Sequence, residues 1–469
     1  MTKPRYPQPG CVAGSKARGI ASSSPIPGNE DYARVVSFNN GNSNNNHRSN
    51  DYPVLACCGG VLGAAGVASP GECQGAGAAT FQALYRAWVE ARRQKRLSAN
   101  QLRFEANLTD NLIELEQRIN AGTWSPSPTT CFIAQRPKAR EIHAPDFGDR
   151  VLHHWLMPPL QAIYERIFID DSYANRPGKG THAAVAQLSR HLRQVDSGQG
   201  DGWTLQLDVR NFFNSIPRER LWHILKRMME KRGVPEIIQR TVHALLRRSP
   251  RDHGVHYRAT PAEIARVPPH KRLENAPPGC GIPIGNLSSQ FFANVYLNEL
   301  DQYVKHVLKA KRYIRYVDDF VLVHHDREQL VTWKAQIEAF LRDHLQLELK
   351  PGTRLAPIRD GVDFLGFVVR PHYTVTRRRV VHHATEALQG WERAHCFAGA
   401  IRATPEELRE IRSRWASSVG HFSHARSWHL RQRFHSRFPW LYSAACVPRR
   451  FSYRLEGQTI AIQFAGAAV

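Results

Sequence analysis

The run RYIRYVDDFVLVHHD, Arg312 to Asp326, constrains the fold more than any other stretch of the chain. Apolar and aromatic residues on both sides of Asp318–Asp319 predict two strands with the Asp pair at the tight turn between them. Aspartate suits such a turn because its short side chain tolerates left-handed backbone angles. Two carboxylates then project side by side from the tip of a hairpin. Unless the pair is simply an exposed acidic turn, their mutual repulsion calls for a cation between them.

A second carboxylate bears on that choice. In TLQLDVRNFFNSIPRERL, which starts at Thr204, residues Leu205, Leu207 and Val209 alternate, and Asp208 sits among them near the end of a strand. An acidic residue inside an apolar strand is costly unless it is paired or ligates a metal. Asp208 and Asp318 on neighbouring strands can hold two magnesium ions about 3.5–4 Å apart. One ion would activate a hydroxyl nucleophile, and the other would neutralise a triphosphate and its leaving group. Phosphoryl transfer needs mainly this positioning and charge stabilisation.

The charge balance points the same way. The 469 residues carry 64 Lys and Arg against 41 Asp and Glu, a formal charge of +23. Such an excess suits a polyanionic partner, because each phosphate that a cation neutralises releases condensed counterions. The eight Cys show no CxxC zinc spacing, which argues for reduced thiols in a cytoplasmic protein. No segment reads as a membrane span, since the apolar stretch Val54 to Ser69 is short and rich in Gly and Ala.

The two carboxylate motifs, in this order, resemble the palm motifs of reverse transcriptases: YVDD at Tyr316–Asp319 and LDVRNFFNSI upstream. The resemblance extends over roughly Glu105 to Arg370. It implies an RNA-directed DNA polymerase with Asp208, Asp318 and Asp319 as catalytic residues and two Mg2+ held by Asp208, Val209, Asp318 and Asp319. Phe213, five residues after Asp208, stands where such enzymes place an aromatic gate against the 2′-hydroxyl of the incoming nucleotide. Its alternative is ordinary core packing, a role expected of Phe212. RPKAREIHAPDFGDRVLHH, from Arg136, looks like the motif that grips the triphosphate, with Lys138 and Arg140 as its cations. SYANRPGKGTHAAV, from Ser172, resembles a loop preceding the palm, whose Arg176 and Lys179 would touch template or nucleotide. VDFLGFVV, Val362 to Val369, resembles the hairpin that holds the primer end, and Lys350 lies near the motif of a possible proton donor.

One departure from the common pattern is informative. In GIPIGNLSSQ, from Gly281, Ile284–Gly285 fills a place where many reverse transcriptases have Gln-Gly, and Ser289–Gln290 stands where many have Ser-Pro. The form IGNLSSQ resembles the enzymes of diversity-generating retroelements, which copy a template RNA with frequent errors at adenines. Ile284, Gly285 and Gln290 are therefore expected to contact the nucleotide. Isoleucine cannot make the hydrogen bond that glutamine offers, and a lost polar contact weakens discrimination. Seven Asn among the twelve residues Asn39 to Asn50 fit the same reading, because Asn codons are adenine-rich. The other reading of that block is a polar disordered tract.

The expected architecture is α+β, a right-hand polymerase of fingers, palm (an antiparallel sheet with helices) and helical thumb. Residues 1–76 are expected as a disordered Asn/Gly/Ser-rich tail, 77–204 as N-terminal helices and fingers, and 205–375 as the palm. A helical thumb over 376–450 would offer Arg426, Arg431 and Arg433 to nucleic acid, ahead of a C-terminal tail, 451–469. Within the first ordered part, Phe81, Leu84, Tyr85, Trp88 and Val89 recur at helical spacing. A second amphipathic helix over Thr109 to Asn120 would turn Leu112, Ile113, Leu115 and Ile119 inward. Partners implied are template RNA, a DNA or RNA primer, deoxynucleoside triphosphates and a basic accessory protein, in a bacterial or phage-encoded setting without a membrane. Group II intron, retron and antiphage-defence enzymes are the other reverse transcriptase readings. An inactive polymerase fold serving as an RNA-binding scaffold is the reading from another class.

Overall fold

The computed structural model of the chain describes residues 78–93, 97–135, 138–196 and 201–441, and the backbone of 454–456 and 459–463. The segment 1–76 and its Asn block lie outside the described residues. The first described element is α1 (Phe81–Arg92), where the Thr80 hydroxyl accepts from the Ala83 N–H. Ser98 caps α2 (Ala99–Ala106) in the same way, and α3 (Leu108–Ala121) stops at Gly122. Leu84 and Trp88 of α1 are buried, whereas Phe81, Tyr85 and Val89 are exposed. On α3, Leu112, Leu115 and Ile119 are buried, but Ile113 faces outward because one residue past Leu112 leaves the apolar stripe.

Next come β1 (Thr129–Ala134) and β2 (Arg140–Ala144), an antiparallel pair, followed by α4 (Phe147–Tyr164), α5 (Thr181–Val195) and β3 (Trp203–Asp208). After α6 (Phe212–Ser215), α7 (Arg218–Lys231), α8 (Glu236–Arg247) and α9 (Pro250–His253), β4 (Val255–Tyr257) joins β1 in parallel. The short α10 (Pro261–Ala265) leads to α11 (Leu287–Gln302), β5 (Tyr313–Tyr316), β6 (Asp319–His324), α12 (Arg327–Leu345) and β7 (Arg354–Pro357).

The central sheet has the order β5-β6-β3-β7 and is antiparallel throughout. Both faces are covered. Leu205, Leu207, Phe320 and Leu322 point into a core shared with α4, α11 and α12. Their neighbours in the alternation, Val321 and Val323, point to a second core under α5. Each such side chain contributes about 1.5–3 kcal/mol by leaving water, which pins the register. A one-residue slip would exchange the two faces.

The sheet is followed by a three-stranded meander, β8 (Val362–Phe364), β9 (Phe367–Val369) and β10 (Thr374–Thr376). A C-terminal helical layer follows, with α13 (Arg378–His395), the hairpin β11 (Cys396–Phe397) and β12 (Ala400–Ala403), α14 (Pro405–Ser423) and α15 (Trp428–Arg437). Thr404, Pro405 and Glu407 form a capping box at the start of α14. The segment expected as a C-terminal tail contributes β13 (Arg454–Glu456) and β14 (Thr459–Gln463), and β14 pairs with β12. Alternating Thr459, Ile460, Ala461 and Ile462 gives that segment a strand pattern.

Candidate active site

The central sheet brings the predicted carboxylates together. Asp208 ends β3 and stands directly opposite Asp319, the first residue of β6. Both lie on the face of the sheet that carries Gln206, whose amide donates to Asp319 Oδ1 at 3.3 Å. The turn differs from the sequence expectation. Tyr316 pairs with Asp319, so the two turn residues are Val317 and Asp318, and Asp319 belongs to the strand. Val317, not an aspartate, takes the left-handed angle, with φ of 55°. Such an angle is strained for a β-branched residue and persists only where the surroundings enforce it. Asp318 thus occupies the tip, its carbonyl accepting from Val209 N–H at 3.3 Å.

The negative charge at this point is poorly compensated. Burial, with help from Asp208, pushes the Asp318 carboxyl up to about 6. Burial, with smaller contributions from Asp318, Asp208 and Asp363, pushes Asp319 up to about 7 even though Gln206 opposes it. Lys350 sits 3.0 Å from Asp208 Oδ2 and its pKa is raised by that contact. The placement of Lys350 is backbone-driven, because Leu349 bridges Val209 and Lys350 N–H donates to the Asp208 carbonyl.

A cleft opens over these carboxylates. Its walls contain Lys138, Arg140, Phe213, Ile284, Gly285 and Gln290 together with Asp208, Asp318 and Asp319. Burial and the neighbouring cations Lys271, Lys350, Arg379 and Arg140 hold Lys138 below its usual range. Four cations around a lysine make a site that attracts an anion such as a triphosphate. Phe212 is buried in the core, while Phe213 faces the cleft. The Ile284–Gly285 segment is clamped to β2, because Ile284 O accepts from His143 N–H at 2.7 Å. Gly285 has φ of 126°, and a Cβ there would lie 2.9 Å from the His143 carbonyl oxygen.

A hard divalent cation suits this donor set of carboxylate oxygens. Among the described residues no three His, Cys, Asp or Glu side chains already converge as a ligand cage. Lys350 instead neutralises part of Asp208. Asp208, Asp318 and Asp319 are the residues that would hold Mg2+, which when bound would stabilise charge on the reacting phosphates.

Other expected contacts fall elsewhere. Arg176 is turned inward, donating to Glu165 at 2.9 Å and to the carbonyls of Ile169 and Ser172. Its guanidinium braces its own loop and does not face the cleft. Lys179 is paired with Asp170 at 2.5 Å and lies over the Tyr173 ring. Arg426 and Arg433 are exposed on the C-terminal helical layer, whereas Arg431 is half-buried. Sequence reasoning missed Gln206, Asn175 and Leu365, all at or beside the cleft. The signal for Gln206 was available, since it is two residues before Asp208 and shares its face of the strand.

Clustered carboxylates at the end of an antiparallel sheet, facing a cationic cleft, define an enzyme of nucleotidyl transfer. The chain belongs to the reverse transcriptase family, the RNA-dependent DNA polymerases, whose model matches residues 133–369, half of the sequence. As an enzyme it is an RNA-directed DNA polymerase, and its family uses divalent metal ions. It is similar to Protein YkfC of Escherichia coli (strain K12), 24% identical over 353 residues, 66% of this chain and 83% of that protein. It is also similar to the group II intron-encoded protein LtrA of Lactococcus lactis subsp. cremoris, 21% identical over 336 residues. That match covers 58% of this chain and 51% of LtrA, so the chain spans about half the length of this relative.

Proposed function

We propose that this reverse transcriptase extends a primer along a template RNA and serves a diversity-generating retroelement, with errors concentrated at adenines. The observation that carries the finer reading is Ile284. An aliphatic side chain lines the nucleotide cleft where a glutamine would offer hydrogen bonds, and the clamp to His143 holds it there. Weakened discrimination follows from a missing polar contact. In this reading β1, β2 and the preceding helices are the fingers, the central sheet is the palm, and α13–α15 are the thumb. Asp208, Asp318, Asp319 and the Val209 backbone hold two Mg2+. Lys138 and Arg140 grip the triphosphate, Phe213 excludes ribonucleotides, and Gly285 and Gln290 flank the new base pair. Arg426, Arg431 and Arg433 hold the duplex, and a basic accessory protein completes the machinery in the cytoplasm. No helix among the described residues is long and apolar enough to cross a membrane.

The test is to copy a defined RNA with the purified protein, with and without an accessory partner, and to sequence the cDNA. Magnesium-dependent cDNA with errors opposite adenines, lost in Asp318→Ala and made more faithful by Ile284→Gln, supports the proposal. Faithful wild-type cDNA would place the enzyme in the intron class instead, the reading that the likeness to LtrA favours. No cDNA from any primer would leave an RNA-binding scaffold.

A further inference from the structure

The Gln206 side chain bridges two parts of the molecule that sequence motifs treat separately. Its amide nitrogen donates to Asp319 Oδ1 at 3.3 Å and to the backbone carbonyl of Asp363 at 2.9 Å. Both partners are acceptors, so the opposite amide orientation would set an oxygen against two oxygens; the network fixes which way the amide points. Asp363 belongs to β8, and its carboxylate pairs with Arg377 at 2.8 Å. Arg377 is the residue that caps α13, and its N–H donates to the Gly366 carbonyl in the β8–β9 turn. The same turn is held from α14, where His421 Nε2 lies 3.4 Å from the Gly366 carbonyl and the His421 ring stacks on Phe367 of β9 with centroids 4.2 Å apart. A continuous chain of contacts therefore runs from Asp319 through Gln206 and Asp363 to the first residue of the C-terminal helical layer.

We propose that Gln206 is a positioning residue that couples the Asp319 carboxylate to the grip of α13–α14 on the primer duplex. The inference rests on the polymerase reading above. A duplex long enough to reach the C-terminal helices shifts Arg377 and Asp363 as a unit. Through the shared amide, that shift sets where the Asp319 oxygen sits. Gln206 is not among the residues lining the cleft, and its effect passes through Asp319.

The experiment compares wild type with Gln206→Met, which keeps chain length and removes both donors, and with Arg377→Gln, a half-exposed site away from the cleft. Each is given a primer–template with a long duplex and one whose duplex covers only the few base pairs next to the primer end. Wild type should extend the long duplex faster. Gln206→Met should lose that advantage, with kcat on the long duplex down on the order of tenfold, since small misplacements of reacting groups are costly. KM for the nucleotide should stay within about twofold, as should Kd for a labelled duplex measured without nucleotide. Arg377→Gln should lose the same length dependence in part. Should Gln206→Met melt early, Arg377→Gln decides alone. Retained length dependence in the folded variants, or a loss of Kd in step with kcat, overturns the coupling. Wild type that makes no cDNA at all fails the polymerase reading instead.

Discussion

Arg315 Nη1 donates to the carbonyl of Val317 at 2.9 Å, so a guanidinium with no solvent exposure holds the strained residue of the turn that carries Asp318. The guanidinium is fixed in turn by Asp301 at 2.6 Å, by Asn294 and by Ser172, and Asp301 is equally buried. Removing one member of a buried pair leaves the other charge uncompensated, which costs about 3–5 kcal/mol. Arg315→Met should therefore lower unfolding free energy by about that amount in urea titrations. Pairing it with Asp301→Leu should recover stability but not cDNA synthesis, because Val317 still lacks its donor. Recovery of both would show that the pair serves only folding.

The carboxylates predict an unusual pH dependence for the metal-free protein. Asp318 and Asp319, pushed up to about 6 and about 7, hold protons that the unfolded chain has already released near pH 4. Stability contributed by these groups therefore falls as pH rises from about 4 to about 7. Asp319→Asn removes one of them, so its melting temperature should match wild type near pH 4 and exceed it at pH 8 in chelator. Adding Mg2+ at pH 8 should raise the wild type by more than the variant, which keeps Asp208 and Asp318 but has lost one of the three carboxylates. A variant that melts below wild type at pH 8 without metal would contradict the burial argument.

The sequence showed which residues carry charge and alternate, and those features place Asp208, Asp319 and the two apolar faces of β3 and β6. What it hid were choices made by three-dimensional partners. Aspartate propensity favoured Asp318–Asp319 as the turn, but Arg315 stabilises the less favoured Val317 there. Arg176 was expected to touch template or nucleotide. Its carboxylate partner, Glu165, lies eleven residues away at the end of a helix, beyond what local pattern can pair. Gln206 is an ordinary polar residue on a strand until Asp363, 157 positions on, supplies its second acceptor.

Phe213 gives a direct test of nucleotide choice. The ring lines the cleft that Asp208 and Ile284 share, whereas Phe212 is the one buried in the core. Phe213→Ala should open room for a 2′-hydroxyl without unfolding the chain. Incorporation of ribonucleotides relative to deoxyribonucleotides should rise by on the order of 10–100-fold in single-nucleotide primer extension. Phe212→Ala should instead lower stability by about 3–5 kcal/mol. An unchanged ratio in the first variant would assign Phe213 to packing alone.

Gly285 separates the geometry of the clamp from the chemistry of Ile284. Its φ of 126° strains any other residue by about 1–3 kcal/mol. An added Cβ would also lie 2.9 Å from the His143 carbonyl oxygen and from Ile142 Cγ2, so β2 and the loop would have to part. Gly279 is the control, with φ of 73° and nothing within 4 Å of an added Cβ. Gly279→Ala should suffer the backbone strain alone and keep cDNA synthesis. Gly285→Ala should lose comparable stability from strain and, in addition, most of its polymerisation rate, because Ile284 O can no longer hold His143 N–H at 2.7 Å. Equal activity in the two variants, measured by primer extension at saturating nucleotide, would mean that the clamp does not position the cleft wall.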